Sequence, residues 1–168
     1  MRSASPSSSV LDSVVNLPGV KSVAIGNGGL PFGGPRSAYS IEGQPRKDSR
    51  NIYMQLISAD YPHTLGIGLH AGREMTRQEV AHADPVALIN ETASKLWPAG
   101  VGPIGAHIHL DLLAKPPAVL LTPPRSSPDL TVVGVIADTR NDGLREPTAP
   151  AVYIPDTLIA PPDRKSVV

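Results

Sequence analysis

Proline and glycine constrain this chain more than any other feature. The 168 residues include 19 prolines and 15 glycines, and both residue types interrupt helices and mark turns. Only 4% of the residues are aromatic while 40% are apolar, so the core must be mainly aliphatic. A chain of this length is expected to form one domain with one core. The sequence therefore predicts a single domain of short elements joined by many turns.

Charge and cysteine content exclude several classes of protein. The 15 basic residues balance 15 acidic ones, so no basic excess is available to bind nucleic acid or anionic lipid. The chain has no cysteine, which excludes a disulfide framework, a thiolate nucleophile and thiolate zinc sites. Residues 130–137, the longest apolar run, fall far short of the roughly 20 residues that a membrane-spanning helix needs. Residues 1–9 lack the hydrophobic region of a secretory signal and are interpreted as a linker.

Hydrophobic periodicity indicates about seven or eight strands and three short helices. Ser9 is expected to cap a helix over residues 10–17, Thr76 and Glu79 to form a capping box, and a helix to run from Asn90 to Trp97. The strands are expected at residues 20–25, 38–42, 51–58, 66–71, 85–89, 106–112, 130–137 and 151–154. The absence of strict strand–helix alternation predicts an α+β fold. Residues 115–129 resemble a proline-rich hairpin arm, and residues 156–168 a second linker.

Two sequence patterns match parts of known enzyme motifs, but neither match is complete. Residues 26–31 form a glycine-rich loop after an expected strand, but Pro31 occupies the third glycine position of a dinucleotide fingerprint and no helix pattern follows. Ser58, Asp60 and His63 lie close together, but no nucleophile-elbow motif is present. A catalytic triad is assembled by the fold rather than by adjacency, so a hydrolytic site stays open at this point.

His107 and His109 are the strongest metal candidates. They share one face of an expected strand, a spacing that lets two imidazoles reach one metal ion. The third ligand would have to be one of the remaining histidines or a nearby acid, and the candidates are His63, His70, His82 and Asp111. The alternative is that both histidines are solvated residues on the polar face of the strand.

The remaining notable residues are interpreted as fold determinants. Asn90 and Glu91 end a buried strand and open a helix, where their side chains can cap backbone N–H groups. Asp138 and Asp142 flank a turn, where aspartate is used for local hydrogen bonds, and Trp97 is expected to cover the core. Turns or close backbone approaches are expected at four glycines, Gly66, Gly72, Gly134 and Gly143.

Three stretches together resemble the periplasmic core domain of MacB-like ABC-transporter permeases, which are FtsX-related and include the acidobacterial-type orphan permeases. The stretches are residues 58–76 (SADYPHTLGIGLHAGREMT), residues 86–98 (VALINETASKLWP) followed by PIG at 103–105, and residues 132–140 (VVGVIADTR) followed by GL at 143–144 and VYIP at 152–155. LPGV at residues 17–20 also fits. The resemblance covers residues 10–155 in matching order.

The resemblance implies a two-lobed domain at residues 10–155, with a porter-like α+β lobe and a mainly β lobe. It implies an extracytoplasmic, non-catalytic role on the periplasmic side of the bacterial inner membrane, with no cofactor. The domain would relay ATP-driven motion of transmembrane helices, toward which residues 156–168 would lead. The implied partners are the rest of the permease, its ATP-binding subunit, a second copy and, in some relatives, a membrane-fusion protein. The alternative is a metal-dependent or ligand-binding periplasmic protein that uses His107 and His109.

Overall fold

The computed structural model describes residues 6–27, 34–45, 50–98, 100–116, 127–140 and 145–159. These residues contain seven strands, five short α-helices and one 3-10 helix. In chain order they are α1 (Pro6–Val15), β1 (Arg36–Ile41), β2 (Asn51–Ile57), α2 (Tyr61–Leu65), β3 (Leu69–Gly72), α3 (Arg77–His82), β4 (Val86–Asn90), α4 (Glu91–Ser94), β5 (His107–Leu110), α5 (Asp111–Ala114), β6 (Asp129–Ile136), β7 (Ala151–Pro155) and the 3-10 helix Asp156–Leu158. The α+β class and the number of strands are confirmed, whereas the expected three helices are five.

All seven strands belong to one mixed sheet, and six of them close into a ring. The strand order is β3-β6-β4-β7-β2-β1-β5, and β5 also pairs with β6. The ring therefore runs β1-β2-β7-β4-β6-β5 and returns to β1. The β2–β7 and β4–β6 pairs are parallel, and the other pairs are antiparallel. Strand β3 lies outside the ring and pairs only with β6 among the described strands.

The ring closes around an aliphatic core. Alternate residues of a strand point to the same face, and one such set from each of the six strands packs into a single buried cluster. Leu113, Leu158 and Ile159 from the elements that follow β5 and β7, together with Ala93 and Trp97 after β4, complete it. Ala83, which precedes β4, also belongs to the cluster, and the strand members are Tyr39, Ile41, Ile52, Met54, Ala87, Ile89, Ile108, Leu110, Leu130, Val132, Val135, Val152 and Ile154.

A second cluster covers the outer face of β2, β4 and β7. Tyr53, Ile57, Leu88 and Tyr153 pack there against the segment that includes α2 and α3, with Met75 and Val80 as buried partners. Both faces of β2 are consequently buried. The outer face of β1 and β5 carries more exposed side chains.

Several expected boundaries differ from the structure. Helix α1 begins at Pro6, so Ser9 lies inside the helix and not at its N-cap position. Residues 20–25 form no strand, because only Ile25 to Asn27 reach the end of β2, through a bridge from Gly26 to Ile57 and backbone bonds. Helix α4 ends at Ser94, before Trp97.

The strand expected at residues 106–112 ends at Leu110. Leu112 belongs to α5, where its N–H donates to the Ser37 hydroxyl of β1. The domain boundaries expected at residues 9 and 155 stay predictions, with α1 and the 3-10 helix extending past them. Most of the expected proline-rich arm (residues 117–126), most of the glycine-rich loop (28–33), Asp142 and Gly143 lie outside the described residues.

Candidate functional site

Asn90 links three segments of the chain at the end of β4. Its side chain is fully buried, and its Oδ1 accepts hydrogen bonds from the N–H of Ala93 at 3.0 Å and of Ala151 at 2.9 Å. Its Nδ2 donates to the carbonyl oxygen of Ala149 at 3.0 Å. Asparagine is favoured at this position because its amide can satisfy N–H groups at a helix start that have no partner within the helix. The residue thus caps α4 and also holds the start of β7.

Asp138 holds the same helical turn from the other side. Its Oδ1 accepts from the Thr92 N–H at 2.9 Å, and its Oδ2 accepts from the Thr92 hydroxyl at 2.7 Å. Asp138 lies two residues beyond the end of β6, so these bonds join the end of that strand to α4. The sequence predicted local hydrogen bonds within a turn for Asp138. Its described contacts instead cap a helix that lies 46 residues earlier in the chain.

Glu91, the first residue of α4, pairs with His70 of β3. The carboxylate Oε1 lies 3.0 Å from His70 Nδ1, and both side chains are 44% exposed. An exposed pair of this kind contributes little to stability. His70, a candidate third ligand for a metal, is thereby placed beside Glu91, at the opposite end of β6 from the residues that pair with His107 and His109.

Gly134 allows β3 and the segment after it to lie directly against β6. A Cβ atom at this position would overlap the carbonyl oxygen of Arg73, whose N–H donates to Val133. Gly72 on the opposing strand has φ of +71° and would likewise meet the Val133 carbonyl. Glycine has no Cβ to overlap these carbonyl oxygens, and it adopts a positive φ at low cost. This supports the interpretation of these glycines as fold determinants.

Arg73 and Glu79 form an ion pair that the sequence reasoning did not find. Arg73 donates two hydrogen bonds to the Glu79 carboxylate, at 2.8 and 2.6 Å, and Glu79 completes the expected capping box with Thr76. Arg73 and the bonds from Thr76 together lower the pKa of Glu79 to about 2. The capping-box motif was visible in the sequence, but the arginine partner depends on how β3 leads into α3.

Trp97 is buried at the end of the ring that follows β4, as expected for a residue that covers the core. Its indole Nε1 is buried and has no hydrogen-bond partner among the described residues. The neighbouring Leu96 carbonyl accepts from the side chain of Gln44, at 3.0 Å, so the turn after β1 is tied to the chain that carries Trp97. The residue closes the ring by packing rather than by polar contacts.

His107 and His109 lie on the outer face of the ring, beside an open depression of about 640 Å³. His109 Nδ1 is 2.7 Å from Asp129 and its Nε2 is 3.7 Å from Asp111. His107 Nδ1 is 3.4 Å from the Thr131 hydroxyl. Within the described residues, no group of three or more His, Cys, Asp or Glu side chains is arranged to hold a metal ion. The depression is lined by Ser40, Ile41, Glu42, Gly43, Gln44, His107, His109 and Asp129.

The serine–aspartate–histidine candidates are used in other contacts. The Ser58 hydroxyl accepts from the Ile25 N–H at 3.0 Å, and Asp60 accepts from the guanidinium of Arg77 at 3.0 Å. His63 is exposed on α2, and His82 is exposed on α3. The described contacts of Ser58 and Asp60 therefore support folding, not a nucleophile activated by a base.

The described polar contacts of these side chains join the strands and helices of a mixed-sheet α+β domain, and sequence comparison identifies its family. The sequence model of the MacB-like periplasmic core domain matches residues 2–166. The chain belongs to this family. No curated protein matches the chain significantly.

Three solved structures share the fold. The periplasmic region of MacB from Actinobacillus actinomycetemcomitans has 19% identity and a TM-score of 0.58, with 89% of this chain and 55% of that chain covered. A permease domain from Porphyromonas gingivalis has 18% identity and a TM-score of 0.53, with coverages of 86% and 55%. The extracellular domain of the noncanonic ABC-type transporter YknZ from Gram-positive bacteria has 13% identity and a TM-score of 0.50, with coverages of 87% and 60%.

The chain thus spans little more than half the length of the solved domains that it matches. Among the described helices, none has the length and apolar character required to cross a bilayer.

Proposed function

We propose that this chain is the extracytoplasmic domain of an ABC-transporter permease and that it relays ATP-driven motion of transmembrane helices to periplasmic partners or cargo. The observation that carries the proposal is the family match over residues 2–166. The shared fold with the periplasmic region of MacB supports it. In this role the domain binds no nucleotide and catalyses no reaction itself, and the ATP-binding subunit supplies the energy.

The contacts at α4 support a mechanical role. Asn90, Asp138 and Glu91 join strands and helices to one another, and a domain that transmits motion must keep its parts in fixed relative positions. The partners proposed are the rest of the permease, its ATP-binding subunit and a second copy, with a membrane-fusion protein as the outward contact. The domain would lie on the periplasmic side of the inner membrane, where it would serve efflux or mechanotransmission.

The two-lobed arrangement is part of the same proposal. The ring of six strands corresponds to one lobe, and its support is the fold shared with longer solved domains. The described strands all belong to one sheet. The proposed second lobe, which is mainly β, therefore has no strand of its own among the described residues.

Cysteine labelling of the full-length protein tests the location. The 168 residues contain no cysteine, so a single introduced thiol reports one position once any cysteines elsewhere in the full-length protein are replaced by serine. Val101 is 56% exposed, and we expect Val101→Cys to react with a membrane-impermeant maleimide added to intact spheroplasts. The matched control is Met54→Cys, because Met54 is fully buried and should react only after denaturation. Labelling of Val101→Cys only after membrane disruption would contradict the proposal.

Replacement of residues 10–155 by a flexible Gly/Ser linker tests the relay in the full-length permease with its ATP-binding subunit. We expect the complex to assemble and to retain basal ATP hydrolysis, while export or partner activation is lost. Normal export or activation by the linker variant would show that the domain does not relay motion.

A further inference from the structure

The two described ends of the β6–β7 connection flank the end of β4. In the sheet, β4 lies between β6 and β7. Asn90 at the end of β4 pairs with Ile136 at the end of β6, and the neighbouring Ile89 pairs with Val152 at the start of β7. The end of β6 and the start of β7 therefore lie on opposite sides of the end of β4, where α4 begins.

Both ends of this connection are fastened to the same helical turn. At the β6 end, Asp138 accepts the two hydrogen bonds from Thr92. At the β7 end, Asn90 bonds to Ala149 and Ala151. Asn90 also accepts from the Ala93 N–H, which fixes α4 to the end of β4. Five hydrogen bonds thus converge on four consecutive residues, 90–93.

We propose that the first turn of α4 is a coupling element that makes the end of β4 and both ends of the β6–β7 connection move as one unit, with Asn90 as its central positioning residue. The two sets of bonds share the backbone of this turn. Loss of one set lets the turn shift, and the shift misaligns the donors of the other set. The role in transport rests on the proposed relay function, whereas the coupling itself does not.

Amide hydrogen exchange in the 168-residue chain tests the coupling through cross effects. Asn90→Ala removes the acceptor of Ala93 and Ala151, and we expect the Thr92 amide, held by Asp138, to exchange about tenfold faster as well. Asp138→Ala should in turn speed exchange at Ala151. Exchange that rises only at the amides whose own acceptor was removed would overturn the inference.

Two further variants keep the test decisive. Thr76→Val removes the cap of α3 and should raise exchange at Glu79 while Thr92 and Ala151 stay unchanged, because α3 does not hold the connection. If Asn90→Ala does not fold, Asn90→Asp replaces it: this change keeps an oxygen acceptor for Ala93 and Ala151 and replaces the donor to the Ala149 carbonyl by a carboxylate oxygen that repels it. The same cross effect at Thr92 is then expected, and its absence overturns the coupling.

A second measurement separates the coupling from the relay. The full-length permease with Asn90→Ala should assemble with its ATP-binding subunit and lose export or partner activation. A cross effect in exchange together with normal activity would leave the coupling standing and overturn its role in the relay. Absence of the cross effect would overturn the coupling, whatever the full-length permease does.

Discussion

The guanidinium of Arg73 and the carboxylate of Glu79 form a two-point ion pair across the turn that joins β3 to α3. Glu79 also accepts hydrogen bonds from the N–H and the hydroxyl of Thr76. One carboxylate therefore fixes the entry into α3 and the exit from β3. The backbone of Arg73 lies directly beside Gly134 of β6. The ion pair therefore also holds β3, the only described strand outside the ring, against β6.

Glu79→Gln should lower the free energy of unfolding by about 1–2 kcal/mol at pH 7. The pKa of Glu79 is lowered from 4.5 to about 2 in the folded protein, so its contribution is fully present above pH 4.5 and is lost as the pH falls through about 2. The wild-type and Glu79→Gln proteins should thus converge in stability between these two values. Urea denaturation at a series of pH values measures the difference.

Glu74→Gln is the control for this change, since Glu74 is adjacent to Arg73 in sequence and its carboxylate is not part of the two-point pair. A stability difference that stays constant from pH 7 to pH 2 in the Glu79 variant would contradict the role assigned to its ionised form.

Gly134→Ala should destabilise the domain by more than about 2 kcal/mol, because the added methyl group overlaps the backbone carbonyl of Arg73 and neither chain segment can move without breaking β3–β6 pairing. Gly102→Ala is the matched control, since a Cβ at Gly102 has no neighbour within 4 Å. Chemical denaturation compares the two. Equal stability of the two variants would show that β3 does not depend on this close approach.

A zinc titration of the isolated chain should show no stoichiometric binding that depends on His107 and His109. His109 is held between two carboxylates, at 2.7 Å from Asp129 and 3.7 Å from Asp111, and His107 lies next to a threonine hydroxyl. Calorimetry of the wild type and of the His107→Ala/His109→Ala variant measures this. One equivalent of zinc bound by the wild type and lost in the variant would instead favour a metal-dependent protein.

Four strands, β2, β4, β6 and β7, were predicted from the sequence to within one residue at each end. Residues 130–137 and 151–154 were expected as strands and form β6 and β7, because central strands covered on both faces need apolar side chains throughout. The Thr76–Glu79 capping box was also predicted, since all its bonds lie within four residues.

The errors arise where tertiary contacts decide the structure. Residues 20–25 have a strand-like composition, yet among the described residues this segment reaches β2 only at its end, where Gly26 forms a single bridge with Ile57. In the sequence, Leu112 continues the apolar–polar alternation of β5. In the structure its N–H donates to the Ser37 hydroxyl, and the residue lies in α5 instead. The bond from Asp138 to Thr92 spans 46 residues, and no local spacing encodes a contact of that kind.

Trp97 offers a test that separates packing from hydrogen bonding. Its ring is buried while its indole N–H has no partner in the part of the chain that the structure describes, so the group is desolvated without compensation there. Trp97→Phe should consequently cost less than about 1.5 kcal/mol, since the loss of ring volume is offset by removal of an unsatisfied donor. Trp97→Ala should cost about 3–5 kcal/mol, because it leaves a cavity at the end of the ring. Trp97 is the only tryptophan, so neither variant has tryptophan fluorescence. Circular dichroism during urea denaturation therefore follows unfolding in both variants. If Trp97→Phe lowered the free energy of unfolding as much as Trp97→Ala does, the indole N–H would have to make a stabilising hydrogen bond in solution.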